Sequence, residues 1–268
     1  MKRHLVGICC LAAIVLGIVQ SACAITETVL PFKRSWVTDP DELPFPVGIG
    51  INYYYQRQGY DMDSIKLVPD ITQMIPLMPG DLGVKSRVNE VNAKVDAWLL
   101  PFLNIFAIAG TVEQATKVSN IPYPQMETLE YDDSGYIVGG GVTLAYGIKH
   151  VWASVTLADT YAGLRSADSW IQAFVLTPKI GARIPTPWPG KGLNIWVGTM
   201  FQKLEEEHTG NWDVPGLGSL HYDTKLSEKE QWNALLGLGT DLWGRVALEI
   251  EGGIGNREQF LASVAYRF

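Results

Sequence analysis

The chain has 268 residues and only three cysteines, at positions 9, 10 and 23. From residue 25 onward there is no disulfide framework, no thiol nucleophile and no cysteine-held metal. Long apolar runs are missing too. After residue 24 no stretch approaches the roughly 18 consecutive apolar residues that a membrane-crossing helix needs. Positive charge is also scarce. Lys2 and Arg3 are the only charged side chains among the first 24 residues, so 19 Lys and Arg beyond them stand against 28 Asp and Glu, a formal charge of −9. Nucleic acid is excluded as a partner, because binding it requires clustered positive charge. The glycines Gly139, Gly140 and Gly141 lie inside a strand pattern without the lysine of a phosphate loop, and read instead as a place for close packing or a bend.

What is present begins with a basic start (Lys2, Arg3, His4), an apolar segment from Leu5 to Val19, and the small residues Ala22-Cys23-Ala24. This pattern predicts a secretory signal over residues 1–24 and a single domain over 25–268. A second reading makes Cys23 an acylated first residue, but Gln20 occupies the position where that signal takes leucine.

The rest of the chain alternates. Val91, Ala93, Val95, Ala97 and Leu99 interleave with Asn92, Lys94, Asp96 and Trp98; after a turn at 100–103, Phe106, Ile108, Gly110 and Val112 interleave with Ala107, Ala109, Thr111 and Glu113. Period two on both sides of a tight turn is a hairpin. The same rhythm predicts strands at 46–57, 86–99, 104–115, 136–146, 150–159, 170–184, 193–204, 230–240, 245–253 and 258–268. Each is close to the roughly 9–11 residues that cross a bilayer when tilted. Ten is the central count, with eight to twelve as the range. Alternate connections are short (100–103, 147–149, 185–192, 241–244), and most of the others are long (60–85, 116–135, 205–231). Aromatics cluster at the expected strand ends. Phe45, Trp98, Phe102, Tyr146, Trp152, Trp188, Trp196, Trp243, Tyr266 and Phe268 fall at the short-turn end, and Tyr53, Tyr54, Tyr55, Trp170 and Trp232 at the other.

The closing strand carries Phe260, Ala262, Val264, Tyr266 and Phe268 on one face. With the leader, the alternation and the sorted loops, it resembles bacterial outer-membrane β-barrels. Residues 91–110 and 261–268 also resemble a porin-like group of such barrels that has no activity to carry over. The resemblance implies an all-β, antiparallel, up-and-down transmembrane barrel in the outer membrane, without a cofactor. Its implied partners are membrane lipid, the barrel-assembly machinery, which reads Tyr266 and Phe268, and small solutes or ions.

Parity along the strands then predicts a polar lumen containing Asn52, Gln56, Lys94, Asp96, Glu113, Lys179, Arg183, Glu249, Glu251 and Arg267. Opposite charges there should pair across strands, because isolated charges in a narrow barrel are costly. Two outcomes stay open: a porin-like narrow pore lined by these charges, or a salt-bridged filling that holds together a surface-exposed structural or binding barrel. A rim-active enzyme, protease or lipid-modifying, is the alternative. Asp132-Asp133 and His221-Tyr222-Asp223 have a loose likeness to the omptin-type protease pattern, but neither order nor spacing matches. His150 falls at a short turn, and His208 follows the acidic run Glu205-Glu206-Glu207, which reads as solvated. No catalytic or metal-binding set emerges.

Overall fold

The computed structural model describes residues 45–68, 82–120, 128–165, 170–186, 190–214, 218–255 and 257–268. The expected signal at 1–24 and Trp188 lie outside them. The described residues contain no helix, only strands and turns. In chain order the strands are β1 (Val47–Val68), β2 (Gly83–Leu100), β3 (Leu103–Ser119), β4 (Thr128–Ile148), β5 (Val151–Leu164), β6 (Trp170–Ile184), β7 (Gly190–Val214), β8 (Gly218–Glu228), β9 (Trp232–Leu242), β10 (Val246–Ile254) and β11 (Arg257–Arg267).

Neighbouring strands pair antiparallel, and the sheet closes where β11 meets β1, from Gly48↔Arg267 to Gln58↔Arg257. The result is a closed ten-stranded barrel, since β8 and β9 run the same way and follow one path with a break at 229–231. Below the break β9 pairs with β7 and β10; above it β8 pairs with β7 and with the far end of β1, Tyr60↔Glu228 through Val68↔His221. The short β10–β11 hairpin ends at this level, so β8 takes its place beside β1.

Several expected loops are therefore partly strand. Residues 60–68, 116–119, 128–135, 205–214 and 218–228 extend the sheet beyond the predicted segments. Backbone pairing with neighbouring strands extends the ladder through these segments. The short turns stand where expected. At one of them Trp243 (φ 50°) and Gly244 (φ 69°) take the left-handed conformations of a type I′ hairpin, and Arg245 N–H donates to Leu242 O at 3.1 Å.

The two faces of the wall are inverted relative to a protein surrounded by water. Ile51, Val95, Ile180, Val197 and Val264 point outward and are 46–63 % exposed, while Asn52, Gln56, Asn92 and Glu251 point inward and are buried. An apolar outer belt around a polar interior is the arrangement that lipid favours. Phe102, Tyr146, Trp243 and Tyr266 are exposed at the short-turn rim, and Trp170, Trp232 and Tyr161 near the opposite one.

Candidate functional site

The lumen has two halves. Towards the long-loop end it is filled. Val112, Leu164 and Ile171 form an apolar cluster with Val88, Ala162 and Leu204 packed on it. Beside them runs a layer of carboxamides. Asn52 Nδ2 donates to Asn92 Oδ1 (2.9 Å) and Asn92 Nδ2 donates to Glu90 Oε1 (2.5 Å). Arg257, 1 % exposed, reaches from β11 to β7, where its guanidinium donates to Gln202 Oε1 (2.6 Å) and to Met200 O (3.3 Å). Asn233 Nδ2 donates to Gln259 Oε1 (3.0 Å), from β9 to β11. Gly253 of the intervening β10 makes that contact possible, because a Cβ there would lie 2.2 Å from Gln259 and 2.4 Å from Asn233. These bonds fix side chains in place across part of this half, which keeps a smaller cavity of about 320 Å³ bordered by Gln58, Lys85, Lys229 and Arg257.

Towards the short turns the lumen opens into a chamber of about 490 Å³ that reaches Gly244 in the β9–β10 turn. Lys94, Lys179, Arg183, Glu249, Glu251 and Arg267 all line it. The predicted pairing of opposite charges occurs twice. Lys179 Nζ lies 2.5 Å from Glu251 Oε2, which also accepts from Trp196 Nε1 at 2.6 Å. Arg267 Nη2 lies 3.0 Å from Asp96 Oδ1, which also accepts from Asn104 Nδ2 at 2.8 Å. Both carboxylates are almost fully covered, with side chains 2 % and 3 % exposed. Each is held by a cation and a neutral donor, as a buried anion requires.

Four further charges face the chamber without an ion-pair partner among the described residues. Lys94 Nζ sits 4.9 Å from the centre of the Phe106 ring, Arg183 has an unpartnered Nε, and Glu249 and Asp241 line the wall without a cation in ion-pair contact. Asp241 and Glu90 were not among the expected lumen residues. Both follow from strand parity, because Glu90 lies two residues before Asn92, and Asp241 two after Gly239 in a strand that runs past its predicted end.

One expectation fails. Glu113 is exposed on the outer face of β3, and Val112 and Gln114 point inward. The larger apolar residues of that strand, Phe106, Ile108 and Val112, fill the lumen, and the small set Ala107, Ala109 and Thr111 faces out. Outward apolarity was assumed strand by strand, but here the interior takes the bulk. Gly141 of β4 accommodates Phe106, since a Cβ there would lie 2.6 Å from that ring. Three tryptophans depart from expectation likewise. Trp98, Trp152 and Trp196 line the chamber instead of meeting lipid. Trp196 lies over Gly237, where a Cβ would come within 2.2 Å of the indole.

At the seam, Tyr266 is 40 % exposed and Phe268 is buried, their rings 5.0 Å apart, and Phe268 N–H donates to Val47 O at 2.9 Å. The residues weighed for a rim enzyme lie on different strands. Asp132 sits on β4 opposite Ala115, whereas His221, Tyr222 and Asp223 lie on β8 between β1 and β7. The side chains of these three, and of residues 205–208, are outside the described set. His150 is exposed in its short turn.

No protein-family model and no curated protein matches this chain. Similar solved structures include the β domain of the Bordetella autotransporter BrkA, 13 % identical over 83 % of this chain and 100 % of that one, with a TM-score of 0.41. The translocator domain of autotransporter NalP from Neisseria meningitidis is 13 % identical over 85 % of this chain and 90 % of that one, at 0.40. The CymD monoaromatic hydrocarbon channel is 8 % identical over 85 % and 89 %, at 0.32. The fold assignment rests on the strand pairing that closes this barrel.

Proposed function

We propose that this chain is an integral outer-membrane β-barrel that is closed towards the cell exterior and presents a polar chamber to the periplasm: a binding or structural barrel, not an open pore. The apolar belt and the aromatic rims support the membrane setting. The periplasmic assignment of the short turns follows the usual asymmetry of bacterial barrels. The observation that carries closure is the difference between the halves of the lumen. One holds a chamber of about 490 Å³, and the other holds buried side chains bonded to one another from β11 to β7 and from β9 to β11, beside a smaller cavity of about 320 Å³.

A gated narrow channel is the second reading. It is favoured by the composition of the filling, which is largely amide and could rehydrate if its bonds were exchanged for water. No assembled catalytic set among the described residues supports a rim enzyme. Conductance of the refolded full-length protein in a planar bilayer tests the proposal. Silence at moderate voltage is expected, and steady, reproducible current steps would show an open path and overturn it.

A further inference from the structure

We infer that the chamber is a binding site for a small zwitterion whose opposite charges stand several ångströms apart. The inference rests on the reading of the lumen as a chamber closed at one end. Arg183 on β6, Asn194 on β7, Gly239 on β9 and Glu249 on β10 occupy one continuous hydrogen-bonded row of the wall, Arg183↔Asn194↔Gly239↔Glu249. Three strand spacings separate the two charged residues, about 14 Å along the wall at roughly 4.8 Å per strand. The bare Gly239 between them leaves the Glu249 stem against its backbone, 3.1 Å from where a Cβ would sit. The guanidinium and the carboxylate therefore face one space from different sides without meeting.

Two further charges line the same chamber. Lys94 is a second cation without a carboxylate partner, and Asp241 a second carboxylate without a cation. The charges that could have neutralised them are committed elsewhere, in the Lys179–Glu251 and Arg267–Asp96 pairs. Two cations and two anions thus line one cavity without an ion-pair partner among the described residues. An anion alone would satisfy the first two and repel the second, and a cation the reverse. A molecule with a carboxylate at one end and an ammonium at the other satisfies both. The volume, about 490 Å³, lies within the range of small-molecule sites.

Three probes on the same six-carbon chain test this: 6-aminohexanoate, hexanoate and hexylamine, each titrated calorimetrically into the refolded full-length barrel. The zwitterion is expected to bind, and each singly charged analogue to bind at least about tenfold more weakly, because each leaves one charged group unsatisfied. Arg183→Gln should reduce 6-aminohexanoate to the affinity of hexylamine, and Glu249→Gln to that of hexanoate. Equal binding of all three probes, no binding of the zwitterion, or variants that bind like the parent would overturn the inference. Bilayer conductance of the same preparation separates the two failures. A silent barrel that ignores the zwitterion sinks only the ligand, whereas a conducting one sinks the closed chamber itself.

Discussion

Replacing Arg257, Gln202 and Gln259 together with serine is expected to turn a silent barrel into one that passes ions. These three side chains carry the contacts that cross the outer half of the lumen, from β11 to β7 and from β9 to β11. Serine removes their reach but leaves a hydroxyl, so the groups they abandon, Met200 O and the Asn233 amide, find water instead of being stranded. Stranding them would cost about 1–3 kcal/mol for each unsatisfied group. The wall itself loses nothing, because its backbone ladder is intact. Bilayer recordings of parent and variant side by side are the check. Discrete steps only in the variant place closure in the amide layer. A folded variant that stays silent assigns it instead to the neighbouring Val112, Leu164 and Ile171 cluster.

The largest loss of stability is expected at Glu251. Its carboxylate, 2 % exposed, holds both the Lys179 ammonium and the Trp196 indole N–H. Glu251→Ala leaves a cation and a donor without their acceptor inside the barrel, and breaking a buried pair from one side costs about 3–5 kcal/mol. The lower end applies here, because the Lys179 side chain keeps 20 % of its exposure to the chamber. Urea titration of folding into lipid vesicles measures the effect. The double change Lys179→Met with Glu251→Gln removes both charges and keeps an acceptor for Trp196. It should recover most of the loss, and if it is as unstable as Glu251→Ala, the ion pair is not the source.

Much of this was legible in the residues. Alternation in 91–99 gave the correct inward set for β2, and parity in β11 placed Arg267 inward and Tyr266 outward. Those strands are simple because the polar residues lie on one side only. β3 was read upside down because its inward side chains are themselves apolar, and periodicity alone cannot tell a lipid face from a filled lumen. Which Trp residues line the chamber could not be read either. The space for Trp196 comes from Gly237, a residue of another strand 41 positions further along the chain. The extensions of β1, β7 and β8 beyond the belt were invisible for a different reason. A ladder in water needs partners more than it needs a pattern, and those partners are set by closure of the barrel. Arg257 lies between the predicted strands 245–253 and 258–268, yet it is the first residue of β11 and reaches β7.

The measurement that tests the account most directly is one-sided thiol labelling. Cys9, Cys10 and Cys23 are changed to serine, and Ser154, which lines the chamber, becomes the single cysteine through the near-isosteric Ser154→Cys. The barrel is inserted into vesicles in one orientation and exposed to a small, membrane-impermeant thiol reagent on one side at a time. Labelling from the short-turn side alone is the predicted result. Labelling from both sides would reveal a continuous water path and contradict a barrel closed at its outer half.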